Sequence, residues 1–216
     1  MRYLLIIAVV LFTQVFTLAQ SEQAPITEKA ISYEDWTFPN VMTGEDVNLR
    51  KFTQGKKLVM VVYWAPWCLT WRDDIEFVKS LHSKYKGDGF DVIGVAAYDP
   101  LSSMKNHINF YKLPFTSVYE TQDRNARLTS QHYKYRSAAG DTRKWGTPWY
   151  VFLDGSAAGS STNVLAATPP IVNGQLIQDE AERFIRKKLG LDQNAKAMAD
   201  ECDPAKPSLL LVRPNN

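Results

Sequence analysis

The sequence predicts one α/β domain, a central mixed sheet flanked by helices, and three observations carry that expectation. Two runs, Lys57–Trp64 and Asp91–Tyr98, are continuous, apolar and rich in β-branched residues, the composition of strands covered on both faces. Each is followed by a stretch in which apolar residues recur at three- and four-residue spacing, as on an amphipathic helix. The 216 residues are 45% hydrophobic and 22% charged, enough to bury a core and too apolar for a disordered chain.

In chain order, the first segment stands outside that core. Met1-Arg2-Tyr3 supplies a positive start, Leu4–Phe12 an apolar stretch, and Thr17 and Ala19 the small residues of a cleavage site. Residues 1–19 therefore read as a secretory signal peptide cut after Ala19. The competing reading is an uncleaved membrane anchor, the one route to a membrane partner, but Gln14 interrupts the run before the ~20 apolar residues that span a bilayer. No cysteine lies near the cut to carry a lipid, and no Asn-x-Ser/Thr acceptor occurs. Export to a bacterial periplasm or envelope is thus favoured over a eukaryotic secretory route. Residues 20–33 form a polar leader, residues 34–190 the domain, and residues 191–216 a tail containing Cys202 and Leu209–Val212.

Within the domain, Trp36–Asn40 and Glu45–Leu49 are expected as short strands about the Thr43-Gly44 turn. The Lys57–Trp64 strand should be central. The helix Leu69–Lys86 carries Trp71, Ile75, Val78, Leu81 and Tyr85 on one face, with Gly87 as its stop. After the Asp91–Tyr98 strand, Ser102 or Ser103 can cap a helix bearing Met104, Ile108 and Tyr111 that Pro114 ends. A strand near Ser117–Tyr119, a helix over Arg127–His132, a polar loop through Gly140 and a strand from Trp149 to the Asp154-Gly155 turn follow. Ser156–Thr162 reads as a loop. Pro170–Ile177 is expected to close as a hairpin about Asn173-Gly174, and Asp179–Leu189, with Gly190 behind it, to be the last helix.

A net charge of +2 gives no basic face, and the basic-aromatic cluster His132–Arg136 is short, so no nucleic-acid partner is expected. His82, His107 and His132 are scattered without metal-ligand spacing to a cysteine, and no metal is expected. Two segments carry the chemistry. Trp64–Arg72 sets Cys68 between a buried strand and a helix start, where free backbone N–H groups and the helix dipole favour a thiolate. Gly146-Thr147-Pro148-Trp149 places a proline immediately ahead of a central strand, where it removes a ladder donor. Asp73 and Asp74 read as carboxylates favouring the helix terminus rather than as acid-base catalysts. Trp64 and Trp71 read as core residues; Trp67 and Trp149 are expected to flank the sulfur as an apolar platform for a partner peptide.

Trp64-Ala65-Pro66-Trp67-Cys68 after a strand, and Gly146-Thr147-Pro148 before a later one, resemble the thioredoxin superfamily. Upstream, Trp36–Pro39, Gly44, Val47–Leu49 and Gly55–Lys57 are similar to its redoxin branch, the TlpA- and ResA-like exported oxidoreductases. The resemblance covers about Glu34 to Leu189. It implies a thioredoxin-like fold, a cis peptide before Pro148 beside the attacking sulfur, and a Thr147 backbone that pairs with an extended substrate strand. It also implies thiols and disulfides of proteins or small molecules as partners, and no cofactor.

One departure from the family matters more than the match. Family members carry a resolving cysteine three residues after the first, followed by a basic residue; here that position is Trp71, followed by Arg72. The buried acid that thioredoxin holds six residues before its nucleophile is Val62 here. Dithiol exchange needs the second thiol to release the mixed disulfide. Three readings stay open. Cys68 can be a relic in a non-catalytic binding module. It can be a single active-site thiol forming a mixed disulfide or sulfenic acid that an external thiol resolves. Or Cys202 can be a distant resolver or a structural bridge to Cys68, since two cysteines make an even count in an exported chain. The single-thiol oxidoreductase is the preferred reading. A peroxiredoxin-type site would need Pro at 61 and Thr at 65, where the chain has Val61 and Ala65. The ring of Trp71 is also expected to shield Cys68 from water.

Overall fold

The computed structural model of the chain describes residues 22–159 and 161–192. The signal peptide expected over residues 1–19 and the tail from residue 193, Cys202 with it, lie outside the described residues. Three two-residue strands come first: β1 (Gln23–Ala24), β2 (Thr27–Glu28) and β3 (Tyr33–Glu34). The expected pair about Gly44 follows as β4 (Thr37–Pro39) and β5 (Asp46–Asn48), antiparallel with Phe38 opposite Val47. A short α1 (Leu49–Thr53) leads to β6 (Leu58–Trp64), α2 (Leu69–Tyr85), β7 (Phe90–Ala97), α3 (Leu101–Tyr111) and β8 (Thr116–Thr121). Then come α4 (Gln131–Ala138), β9 (Trp149–Asp154), β10 (Val164–Ala166), β11 (Pro170–Val172), β12 (Gln175–Leu176) and α5 (Gln178–Leu189).

The main sheet has six strands in the order β2-β11-β9-β6-β7-β8. β6, β7 and β8 run parallel, while β9 lies antiparallel to β6, and β11 and β2 continue antiparallel beyond it. Every residue of β6 is buried because the sheet is covered on both sides. Met60, Val62 and Trp64 point into a core closed by α2, α3 and α5; the alternate residues Val59, Val61 and Tyr63 point into a second core with Tyr33, Trp36 and Tyr135. Each fully buried Val or Leu contributes about 1.5–3 kcal/mol, which is why a period-two pattern disappears here into a continuous apolar run. Gly94 in β7 serves the first core directly: a Cβ there would lie 2.6 Å from Nε1 of Trp64, so the indole crosses β7 where no side chain stands.

Several expected elements take different bounds or partners. α2 continues into a 3-10 turn over Lys86–Asp88, and the left-handed residue that ends it is Gly89 (φ 99°), not Gly87. α3 starts before Ser102, at Leu101, without a side-chain cap on Pro100; its first N–H is taken by Gln122 Oε1 at 2.9 Å from a distant loop. The helix expected over Arg127–His132 is two pieces, a 3-10 turn (Arg124–Leu128) and α4, which occupies what was read as a polar loop. Ser130 makes the break, its Oγ accepting from Tyr133 N at 3.1 Å, and Glu120 receives the N–H groups of Gln131 and His132. Pro170–Ile177 is not a hairpin. β11 pairs with β9 and β2, whereas β12 pairs in parallel with β1, because Gly174 lets the Glu22 carbonyl approach to 2.1 Å from where a Cβ would stand. The segment read as a polar leader thus supplies β1 and β2, each paired to the strands after β9.

Candidate functional site

β6 ends at Trp64, and a turn through Ala65-Pro66-Trp67 delivers Cys68 in extended conformation (φ −75°, ψ 114°) immediately ahead of α2. Its N–H donates to the Ala65 carbonyl at 3.0 Å. Arg72 folds back over this turn and donates to the Pro66 carbonyl through Nε (3.2 Å) and Nη2 (2.8 Å). The basic residue after the missing-thiol position is therefore a clamp on the loop that carries the sulfur. Among the described residues Cys68 has no disulfide partner, and it is 6% exposed. Its Sγ lies 3.3 Å from the carbonyl oxygen of Thr147, to which it can donate, and 3.2 Å from Oγ1 of Thr70.

Thr147 precedes a cis peptide to Pro148, as the resemblance implied. Two arginines hold this loop from inside and outside. Arg136, 1% exposed, donates through Nη1 to the Arg143 carbonyl (2.7 Å) and through Nη2 to the Lys144 carbonyl (3.3 Å). Gly146 (φ 67°) makes room for it, since a Cβ there would lie 2.4 Å from Cδ of Arg136. Burial lowers the Arg136 pKa, and the neighbouring Asp141 counteracts the shift. Arg143 grips Asp141 with Nε (3.0 Å) and Nη2 (2.8 Å), then donates from Nη2 to the Pro148 carbonyl (3.0 Å) and from Nη1 to that of Thr147 (3.5 Å). Such a planar fork joins a buried carboxylate to two carbonyls, which an ammonium cannot do.

Between sulfur and loop lies a groove of about 420 Å³ lined by Trp67, Cys68, Arg143, Lys144, Trp145 and Thr147. Trp67 and Trp145 meet edge to face with centroids 5.1 Å apart and form its aromatic rim. The groove thus brings together Trp67, Cys68 and Thr147 of the expected set, with Pro148 buried immediately behind Thr147. It does not include Trp149. As the first residue of β9, Trp149 points to the opposite face, wholly buried against Tyr63 (5.5 Å) and His132 (5.9 Å), with Nε1 donating to Asn173 Oδ1 at 2.7 Å. The second aromatic at the groove is Trp145, four residues earlier. Asn173 is spent on that indole rather than on a hairpin turn.

Trp71 is fully buried in the same apolar cluster as Cys68, stacked on Trp64 (6.0 Å), with Nε1 donating to Nε2 of His107 at 3.0 Å. Burial, helped by the Arg72 charge, lowers the His107 pKa to about 4, so the ring is neutral and can accept that bond. His132 is likewise driven well down by burial and sits between Tyr63 and Tyr98, its Nδ1 2.9 Å from the Tyr98 hydroxyl. Among the described residues no group of three His, Cys, Asp or Glu side chains is placed to hold a metal ion.

Asp74 departs from its expected role. It is not a helix-terminus carboxylate but an interior one, 2% exposed, accepting from the Tyr150 hydroxyl at 2.5 Å and from Leu176 N–H at 3.1 Å. Burial pushes its pKa up to about 6 against those two hydrogen bonds. Position 74 falls on the stripe Trp71, Ile75, Val78, and that spacing is the signal that marks a buried acid here. Asp73 is exposed and makes no cap bond; the residue ahead of α2 has no side-chain partner there.

The Redoxin family model matches residues 28–157. The fold is similar to that of dsbF from Mycobacterium tuberculosis (20% identity, 76% of this chain and 98% of that one, TM-score 0.50). It is also similar to a putative thiol:disulfide interchange protein DsbE from Chlorobium tepidum (21%, 79% and 99%, 0.52). A secreted thiol-disulfide isomerase from Corynebacterium glutamicum is a third (16%, 73% and 85%, 0.54). Among curated proteins none matches the sequence. A thioredoxin-like sheet, a thiol ahead of the first long helix, a cis-proline loop facing it and a family match over most of the domain agree: this chain belongs to the Redoxin family.

Proposed function

We propose that the protein is an exported thiol-disulfide oxidoreductase working through Cys68 as its single active-site thiol, on disulfides of proteins or small molecules. The observation that carries this reading is the sulfur placed 3.3 Å from the Thr147 carbonyl at a groove with room for a substrate strand. Export is supported by the composition of residues 1–19 and by the secreted thiol-disulfide isomerase among the similar structures.

The Cys68 thiolate attacks one sulfur of a disulfide, forms the mixed disulfide and expels the other half as a thiolate. Thr70 Oγ1, 3.2 Å away, can donate to the charged sulfur. A substrate strand laid in the groove pairs with the backbone of Thr147, while Trp67 and Trp145 cover its side chains. With Trp71 where a second thiol would stand, release requires a thiol from outside the immediate site. The burial of Cys68 favours a second reading, a binding module that holds a partner on the Trp67–Trp145 rim without chemistry.

Reduction of insulin or a model disulfide by the wild type and Cys68→Ser separates the two. The oxidoreductase reading expects turnover that Cys68→Ser abolishes; turnover no higher than that of Cys68→Ser would establish the binding module instead.

A further inference from the structure

We propose that, once a small disulfide has left one half on Cys68, the groove beside it receives the chain's own Asp200-Glu201-Cys202-Asp203 segment, and that Cys202 is the thiol that resolves this mixed disulfide. The proposal rests on the reading of Cys68 as the nucleophile and names the thiol that reading leaves open.

The groove is cationic as well as aromatic. Arg143 and Lys144 line it with one carboxylate, Glu22, the Arg127 guanidinium lies 5.2 Å from the Trp145 ring and that of Arg124 lies 5.5 Å from Trp67. Two of these charges are balanced: Arg124 by Asp99 at 2.9 Å, and Arg143 by Asp141 at 2.8 Å, with Glu22 at 3.8 Å beyond it. Arg127 donates to the Lys144 carbonyl, and neither Arg127 nor Lys144 has a carboxylate partner among the described residues. A second observation points the same way. Thr147 is 5% exposed, lines the groove, and its Oγ1 has no hydrogen-bond partner among the described residues. A buried hydroxyl left so is costly unless an incoming backbone pairs with it.

The sequence holds a segment of matching chemistry. Cys202 is the only other cysteine of the chain, and Asp200, Glu201 and Asp203 put three carboxylates around it. The chain also has the reach. Lys188, near the end of α5, pairs with Asp154, which stands opposite the first residue of β6 and so at the end of the sheet away from Cys68. The other end of α5 follows Gln175, whose Nε2 donates to the Thr70 carbonyl in the first turn after Cys68. Returning along α5 is about 18 Å at 1.5 Å per residue. The ten residues Gln193–Cys202 extend to about 33–36 Å, enough for that path and the crossing to the sulfur. Tethering makes the second step intramolecular at an effective concentration on the order of millimolar.

The steps balance. Cys68 attacks a disulfide R–S–S–R′, forming Cys68–S–S–R and expelling R′–S⁻. Cys202 as thiolate then attacks Sγ of Cys68, forming the Cys68–Cys202 disulfide and expelling R–S⁻. The substrate disulfide gains two electrons, the two chain thiols lose two, and the protons they release serve the departing thiolates.

The test follows the full mature chain, reduced and mixed with the uncharged probe 2-hydroxyethyl disulfide, by acid quenching and non-reducing peptide mapping over time. The expected course is a transient adduct on Cys68 that decays into an intramolecular Cys68–Cys202 bond. Asp200→Asn/Glu201→Gln/Asp203→Asn, or 0.5 M salt, should slow that decay about tenfold while leaving adduct formation unchanged. Equal decay rates with and without the three carboxylates, or Cys202 bonds between chains, would overturn the docking. An adduct that persists on Cys68 while Cys202 stays free would overturn the resolver and leave the nucleophile standing. A Cys68 that forms no adduct would instead defeat the proposed function, and this inference with it.

Discussion

Trp71 and Asp74 sit one turn apart on α2, and both are buried side chains of its core-facing stripe. Where a second thiol would stand, the chain has a ring packed on Trp64 and bonded to a neutral His107. Restoring the thiol is therefore not a simple exchange: Trp71→Cys removes most of a fully buried side chain and should cost about 3–5 kcal/mol, read as a lowered midpoint in urea unfolding. A variant as stable as the wild type would mean that Trp71 is not packed as described. The role of Trp71 as a core residue was legible from its spacing with Ile75 and Val78. That of Asp74 was in the same stripe, hidden because its residue type suggested a helix terminus. Trp149 was misplaced for a related reason, since strand alternation, not nearness to Pro148 in sequence, decides which face a ring joins.

At the scale of elements, the cis-proline loop depends on a helix whose start alone overlaps the one expected from the sequence. α4 has no strong apolar stripe; what makes it a helix is the Ser130 cap and the Glu120 carboxylate reaching its first N–H groups from β8. From α4, Arg136 enters the loop over residues 141–146, and Arg143 ties Asp141 to the carbonyls of Thr147 and Pro148. Arg143→Ala leaves the buried Asp141 with a weaker set of partners and frees the Thr147 backbone, so stability should fall by about 2–3 kcal/mol. Disulfide-exchange kcat/KM should fall at least tenfold with it. Arg143→Lys should restore part of the stability but little of the exchange rate, because one ammonium cannot serve the carboxylate and both carbonyls. Full exchange activity in Arg143→Lys would show that this loop needs no fork. The elements β4, β5, β6, α2, β7, β9 and α5 were legible because each combines period and turn chemistry locally. β1 and β2 were not, and β12 was expected with the wrong partner, since the pairing of two-residue strands is set by distant segments.

For the whole molecule, burial on the two sides of the sheet sets opposing pH dependences. Burial raises Asp74 to about 6 and Glu120 to about 7, so each favours the folded state most when protonated and loses that contribution as pH rises through those values. Burial lowers His107 to about 4 and His132 further, so these groups contribute most above the ordinary histidine range and lose it as pH falls below about 6. The two pairs act over the same window, pH 4–7, and largely offset. Asp74→Asn removes one falling contribution while leaving an oxygen to accept from Tyr150 and Leu176. Its stability relative to the wild type should therefore climb between pH 4 and 7, by up to about 3 kcal/mol, in denaturant titrations at each pH. A constant difference across that range would show that Asp74 is not buried as a charge.

All of this matters for function only if the fold makes Cys68 a better nucleophile than it is in an unfolded chain. The direct measurement is the rate at which Cys68, in a Cys202→Ser background, reacts with 2-hydroxyethyl disulfide in the folded protein and in urea at the same pH. The folded chain is expected to react at least tenfold faster, because Thr70 Oγ1 can donate to the attacking sulfur and the groove admits the disulfide. A folded chain that reacts more slowly than the unfolded one would contradict it, and would make Cys68 a buried remnant of an older site.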